Sequence, residues 1–498
     1  MSENLRKKVI AVVVAFCLVL PQMVFAQDAA GTGDAAKDLD YLKSVMDMIK
    51  EKYKGDVTDS QLIEGALKGM FGTLDPYTTY WTPEEADQFL GEMSGNYEGI
   101  GVSIYKEDDY IVVGKVFEGS PAEKSKIYVG DKIVEAGGKS LVGASPDDAT
   151  RLIKGEPGTS VTLGIVRSGT EGTIKIDVER AQVTINPITY KIKDGIGYIK
   201  IEIFNSNTYG FLLKALSEMD GNGVKKLILD LRDNPGGEAE MAVMAARKFV
   251  PKGLITKLDF KDEDQQDVEY YSSLESPKYK LAVLVNKMSA SASEILAGAI
   301  QDTKAGVLIG TKTFGKAKVQ SVFPILTPEA YKKYEAQLGR KIADGEDLEK
   351  LGITPQDSDI MGWTKITTGT YTTPSGRMID GTGLTPDIEV DDSAEVNGVD
   401  VTAVQRLSGK EKLSLNGEGM DVYYAEEILK ADGYEVDAPD AKLDAKTFNA
   451  LAKFQRDNGL FPCGVLDFAT QHALNDRLEK LVMENDAPYA KAVEILNQ

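Results

Sequence analysis

The chain has 498 residues, with 78 Asp and Glu against 57 Lys and Arg, for a formal net charge of −21. An acidic excess of this size makes nucleic acid and anionic membrane surfaces poor partners. One histidine, His472, and two cysteines, Cys17 and Cys463, exclude a disulfide scaffold and a histidine-rich zinc site.

Arg6, Lys7 and Lys8 precede an apolar run from Val9 to Leu20, and Val24-Phe25-Ala26 has small outer residues, the pattern of a cleavable secretory signal over residues 1–26. The expected mature chain starts near Gln27 and is secreted or held outside the cytoplasm, in a periplasm or cell envelope. An uncleaved membrane anchor is the alternative, because Val9 to Phe25 is almost, but not quite, short enough to exclude spanning a bilayer. Phe16 stands where a lipoprotein site at Cys17 needs a small residue. Losing Glu3, Arg6, Lys7 and Lys8 removes +2 and leaves −23. Cys463 then has no internal disulfide partner, so stability rests on packed cores, and the length suits about three domains.

Residues 27–96 read as a Gly/Ala/Asp-rich leader followed by helices. Leu39, Leu42, Val45, Met46 and Ile49 recur at helical spacing, and the pattern returns over Leu62 to Met70. Pro76 breaks it, and Thr82-Pro83-Glu84-Glu85 supplies a cap, an N1 proline and early acids to start a third helix.

From 97 to 181 the pattern changes to short β runs with glycine punctuation: GIGVSIY, YIVVGKV, DKIVEAGG, TSVTLGIVR and TIKIDVE, with a helix over Pro146 to Ile153. The order of EGIGV, SPAEKSKIYVGDKIVEAGGKSL and LIKGEPGTSVTLGIVR resembles a PDZ domain. In that likeness Gly99, Ile100, Gly101 and Val102 turn backbone N–H groups toward a peptide's terminal carboxylate, and the adjoining strand edge pairs with the peptide. Lys154 stands where an arginine is usual in the resembled block. The alternative is a β module whose glycines serve tight turns.

Residues 182–400 alternate strand-like and helix-like stretches: IGYIKIEIF, a helix near 209–219, KKLILDLRDNPGG, a helix near 239–249, LAVLVN, a helix from about Ala292, and VLIGT. LILDLR and LAVLVN each end in a turn and a helix start, which delivers Asn234-Pro235-Gly236-Gly237 and Lys287-Met288-Ser289 to one sheet edge. The charged stretch over 327–360, with a proline near each end, reads as an inserted helical hairpin, either a lid or an exposed decoration.

DLRDNPGG, NKMSASASEILAGAIQD, TFGKAKVQ and TYTTPSGRMIDGTGLTPDIEV, in this order behind a PDZ-like block, resemble the carboxy-terminal processing, or tail-specific, serine peptidases. The likeness spans roughly 39–395, LDPYTTYW included. It implies a multidomain protein with a crotonase-like α/β core, and a catalytic Ser, Lys and Gln at Ser291, Lys316 and Gln320. The residue chemistry agrees. With one distant imidazole, a nucleophilic serine needs another base, and a lysine shielded by Thr313, Phe314, Gly315, Ala317 and Val319 suits that role if burial keeps it neutral. Gln320 orients the amine without adding charge. At the helix start, the N–H groups of Ala292 and of Gly236 or Gly237 form the expected oxyanion hole. Asp233 and Ala317 depart from the resembled motif; the Ala317 methyl and Lys318 both sit beside the base. Ser103-Ile104-Tyr105-Lys106 matches SxxK but lies in a predicted strand, with no KTG following.

Residues 401–480 form a small helical unit. Gly433-Tyr434, Lys446-Thr447-Phe448, Phe454-Gln455, Asn458-Gly459-Leu460 and Thr470 to Leu474 resemble a type-1 peptidoglycan-binding domain; a helical module without ligand is the alternative. Over 481–498, AKAVEIL forms an amphipathic helix suited to docking or to homodimerisation. The expected function is a secreted, cofactor- and metal-independent endopeptidase acting on protein or peptide substrates with a free C-terminus, with peptidoglycan as a further partner. The rival readings are a catalytically degenerate PDZ and cell-wall binding protein and, opposed by the missing SxxK helix, a peptidoglycan transpeptidase or amidase. His472 reads as structural.

Overall fold

The computed structural model describes residues 13–14, 35–117, 119–167, 170, 172–262, 266–340, 342, 344–409 and 411–498. The signal reading falls on residues outside this set, except for Val13–Val14, a two-residue strand antiparallel to Gly237–Glu238 on one side and to Gln320 on the other. Among the described residues no helix is long and apolar enough to cross a membrane.

Helices α1 (Ala35–Lys52) and α2 (Asp59–Gly72) form where the apolar spacing predicts them. After α2, the Asp75 carboxylate accepts the N–H groups of Tyr77 and Thr78, a turn that leads into β1 (Thr79–Trp81). Helix α3 (Pro83–Ser94) starts on Thr82, whose hydroxyl accepts from the Glu85 N–H while the Glu85 carboxylate accepts from the Thr82 N–H.

Strand β2 (Asn96–Gly99) enters the β module. There follow β3 (Val102–Glu107), β4 (Tyr110–Val116), α4 (Pro121–Lys124), β5 (Lys132–Ala136), β6 (Lys139–Ser140), α5 (Pro146–Ile153), β7 (Ser160–Val166), β8 (Ile174–Glu179) and β9 (Ala181–Thr184). The sheet order is β3-β4-β5-β7-β8, with β3 at the edge, and β9 pairs with β2 so that entry and exit are clasped together. Alternate residues such as Ile111 and Val113 of β4 and Leu163 and Ile165 of β7 fill its core.

The large core has two sheets. The first contains β10 (Ile188–Lys193), β11 (Ile196–Ile201), then after α6 (Thr208–Gly221) comes β12 (Lys226–Asp230). The second sheet begins after β13 (Gly237–Glu238) and α7 (Ala239–Ala246), with β14 (Gly253–Phe260) and β15 (Val268–Ser272). The chain returns to the first sheet with β16 (Lys280–Val285), α8 (Ala292–Asp302) and β17 (Val307–Gly310), and to the second with β18 (Lys318–Leu326). Helices α9 (Pro328–Leu338) and α10 (Gly345–Lys350) precede β19 (Ile360–Thr372), and β20 (Ile388–Glu389) completes the first sheet. The first sheet runs β10-β11-β12-β16-β17-β20, parallel from β11 onward; the antiparallel second contains β18-β19-β14-β15, with β1 on β19.

Period-two alternation divides the first sheet. Leu227 and Leu229, with Leu281, Val283 and Val285, face the main core, where α7, α8 and the second sheet pack. Ile228, Ala282 and Leu284 face the other way. That outer face is covered by α14 (Ala487–Asn497), which follows α11 (Met420–Ala431), α12 (Ala445–Asp457) and α13 (Phe468–Glu484). Ala492 and Leu496 of α14 pack on Ile228, Ala282, Leu284 and Ile309. The amphipathic C-terminal helix thus docks on its own chain.

The charged insertion is a helical hairpin with a small core of Leu326, Ala330, Tyr334, Ile342 and Leu348. Strand β18, 9 residues long, carries it about 26 Å from Lys318, at roughly 3.3 Å per residue. The small C-terminal unit is pinned by Gln455, whose side-chain amide donates to Val465 O and Thr470 Oγ1 and accepts from the Gly464 N–H. His472 lies on its surface, 78% exposed and 3.1 Å from Asp476.

Candidate active site

Strands β12 and β16 are adjacent and parallel, with Asp230 opposite Leu284, so their following loops leave the same edge. The two loops are zipped together. Asn234 O accepts from the Ala290 N–H at 3.0 Å and from Ser293 Oγ at 2.9 Å, and Leu231 O accepts from Ser289 Oγ. Asn286 completes the link by accepting from the Asp233 N–H and donating to the Asp233 carboxylate. Of the three serines in SASAS, Ser289 and Ser293 are therefore structural. Ser291 Oγ is fully buried and has no hydrogen-bond partner.

Ser291 sits immediately before α8 with φ 62 and ψ −116. A side chain rarely adopts this backbone region, which costs about 1–3 kcal/mol and persists only where surrounding structure holds it. Two buried side chains do so. The Glu294 carboxylate accepts from the N–H groups of Ser291 (2.8 Å), Gly315 (2.8 Å) and Lys316 (2.9 Å) and from Thr313 Oγ1 (2.6 Å). Burial pushes that carboxyl's pKa up, and the four donors oppose the shift. Tyr371 Oη lies 2.9 Å from Ser291 O and 2.8 Å from Lys316 O. Sequence reasoning assigns neither residue a role: Glu294 is hidden inside the serine motif, and Tyr371 has the pattern of an ordinary strand aromatic.

Lys316 is buried, and its Nζ lies 4.4 Å from the centre of the Tyr77 ring. Tyr77 comes from LDPYTTY, a segment the sequence placed within the family likeness but not in the site. The loop bearing Lys316 is tight. A Cβ on Gly315 (φ 88) would stand 2.5 Å from Gly383 N, so the crossing of TFGK and DGTG requires glycine there. Ala317 packs in the main core and its N–H donates to the Asp380 carboxylate, while the Lys318 Nζ pairs with Asp380 at 3.5 Å. The two departures beside Lys316 are thus accommodated by the core and by Asp380.

Gln320, on β18 opposite Thr367, is fully buried; its Nε2 donates to Thr367 Oγ1 at 3.1 Å and its Oε1 has no partner. Gly236 lies against the serine, since a Cβ there would stand 2.8 Å from Ser291 Cβ and 3.0 Å from Ala292 N. Its own N–H donates to Asn234 Oδ1 at 2.9 Å, which favours Gly237 of the two glycines the sequence offers as a donor. Of the other two groups named from sequence, Ala292 supplies the first N–H of α8, which has no intrahelical acceptor, and Gly237 stands opposite Val14. Next to Gly237, Glu238 is buried with its pKa pushed up to about 7 by desolvation, opposed by a 2.6 Å bond from Ser206 Oγ.

A sequence profile of peptidase family S41 matches residues 195–390, and profiles of the PDZ domain, the putative peptidoglycan binding domain and the N-terminal domain of activating protease CtpB match 90–166, 418–474 and 20–85. The carboxy-terminal processing protease CtpA of Bacillus subtilis (strain 168) is 31% identical over 478 residues, covering 95% of this chain and 93% of that one. The chain belongs to the carboxy-terminal processing proteases. CtpB of the same organism is 29% identical over 463 residues, covering 91% of this chain and 88% of that one. Among solved structures, the photosystem II D1 C-terminal processing protease is 28% identical, covering 70% of this chain and 86% of that one at a TM-score of 0.38. This carboxy-terminal processing serine protease carries its PDZ domain between α3 and β10 and its peptidoglycan-binding domain between β20 and α14.

Ile100 O accepts from the Ala122 N–H and Gly101 O from the Phe117 N–H, while Gly101 has φ 88. Gly99 is committed to the β2–β9 clasp opposite Ala181, and Ile100 fills the module core. Beyond this turn, the outer edge of β3 faces α5. Lys154 lies with its Nζ 5.9 Å from the Tyr97 ring. The SxxK-like Lys106 bonds to Gly143 O on the surface, outside the catalytic site.

Proposed function

We propose that this protease cuts its substrates with a Ser-Lys dyad. Ser291 Oγ attacks the scissile carbonyl carbon and its proton passes to Lys316 Nζ; the oxyanion is held by the N–H groups of Gly237 and Ala292. Lys316 then gives that proton to the departing amine, and a water, deprotonated by the same lysine, releases the acyl group. Gln320 holds the lysine through the Oε1 it keeps unengaged. One observation carries the reading. Buried polar atoms are nearly always paired, yet Ser291 Oγ and Gln320 Oε1, on residues named from sequence for this chemistry, are both buried without partners. Digestion of unfolded casein by the wild type and by Ser291→Ala tests it: the variant should be inactive, and activity equal to wild type would overturn the assignment.

The proposal extends to recognition and place. The turn at Gly99 to Val102 and the open β3 edge suit a substrate's C-terminal carboxylate and main chain. The segment over 1–26 directs the chain out of the cytoplasm, where the C-terminal domain meets peptidoglycan.

A further inference from the structure

We infer that Glu294 and Tyr371 are positioning residues that hold nucleophile and base as one rigid unit, a role that rests on the Ser-Lys reading above. Glu294 gathers the two backbone N–H groups, Ser291 at 2.8 Å and Lys316 at 2.9 Å. Tyr371 Oη meets the two backbone carbonyls, Ser291 at 2.9 Å and Lys316 at 2.8 Å. All four backbone polar groups of the pair therefore meet two side chains that are fully buried, and Ser291 O accepts in addition from the N–H groups of Glu294 and Ile295. A shift of either catalytic residue must carry the other or break a buried hydrogen bond.

The chemistry of each group fits the task. An ionised carboxylate offers about four acceptor positions, and Glu294 meets four donors, adding the Gly315 N–H and the Thr313 hydroxyl. A protonated carboxyl, or the amide of glutamine, would turn a donor toward a donor. The Tyr371 hydroxyl has one proton to share between two carbonyls, and its own backbone is tied in, since the Tyr371 N–H donates to Ala317 O at 3.0 Å. The clamp also explains how Ser291 keeps φ 62 without glycine's freedom. Because Glu294 engages the Ser291 N–H, the oxyanion hole falls to Gly237 and Ala292.

Tyr371→Phe and Glu294→Gln test this in the full chain, with Tyr334→Phe as the control. The Tyr334 hydroxyl is likewise buried, 2.8 Å from Asp359, but lies in the insertion. The expected result is a kcat about 10²-fold lower for Tyr371→Phe and Glu294→Gln, as for a misplacement near 1 Å, with KM unchanged. Labelling of Ser291 by a fluorophosphonate should slow in parallel, and the double variant should lose less than the product of the two single losses. Tyr334→Phe should melt earlier and keep its kcat. Wild-type kcat in both Tyr371→Phe and Glu294→Gln, with lowered melting alone, would show an ordinary structural role and overturn the inference. Should Glu294→Gln fail to fold, Tyr371→Phe decides. An active Ser291→Ala would instead overturn the Ser-Lys reading, a separate result.

Discussion

At Ser291 every backbone polar group has a partner and the side chain is sealed from solvent, whereas in the PDZ domain no strand among the described residues pairs with the outer edge of β3, next to a turn made with glycine. The first arrangement fixes one geometry before a substrate arrives, which is what stabilising a developing oxyanion needs. The second suits the recognition proposed above, of a chain that supplies main-chain hydrogen bonds and a carboxylate. On the reading proposed here, cutting is built from constraint, and recognition from backbone left open.

The sharpest way to break this contrast is at the dyad. Ser291→Ala and Lys316→Ala should each lower casein hydrolysis by on the order of 10⁴-fold or more while leaving far-UV circular dichroism unchanged, because members of one catalytic unit fail together. Gln320→Ala should be milder. If Ser289→Ala or Ser293→Ala were dead while Ser291→Ala worked, the nucleophile would have been misassigned.

The recognition side should fail more gently. A Cβ on Gly101 would stand 2.2 Å from Ser120 Cβ at φ 88, so Gly101→Val must distort the turn. Wild type should cut a peptide with a free apolar C-terminus faster than its amidated twin, and Gly101→Val should cut both at the slower rate. Equal rates in wild type would reduce the PDZ domain to a spacer.

Next in size is a stability effect at the rim of the site. Glu238 titrates near 7 in the folded chain against 4.5 when unperturbed, so its carboxyl binds a proton more tightly folded than unfolded. Its favourable contribution is complete below pH 4.5 and is lost as pH rises through 7. Wild type should therefore lose stability relative to Glu238→Gln across that window, by on the order of 3 kcal/mol at most. A pH-independent difference in urea midpoints would contradict this. The smallest effects expected are none at all: excess EDTA and His472→Ala should each leave casein hydrolysis at the wild-type rate, and zinc-restorable loss on chelation would replace the lysine mechanism with a metal-dependent one.

The first sheet was legible because its strands are buried on both faces and read as continuous apolar runs: LILDL and LAVLV have no other plausible place. The PDZ strands and the capped helix starts at Thr82 and Pro146 were equally plain. The second sheet was not. Strand β19 carries Lys365, Thr367 and Thr368 along 13 residues, and β18 carries Gln320 and Ser321, polar side chains that the site and its surroundings require and that blur a two-residue alternation. The residues proposed here as catalytic were read through their motifs, since a serine or lysine alone has no distinguishing pattern. Glu294, Tyr371 and Tyr77 escaped because their roles depend on contacts across 22, 55 and more residues, which no local spacing encodes.

The return of α14 to the core changes what kind of object the peptidoglycan-binding domain is. Asp486, which caps that helix by accepting from the Tyr489 N–H, also receives the Arg232 guanidinium at 2.9 and 2.8 Å, and Arg232 begins the loop that ends at Gly237. The domain therefore hangs from two anchors, β20 before it and α14 after it, as a handle does from both ends. One of the two rivets is set at Arg232, in the loop that leads to Gly236 and Gly237 beside Ser291.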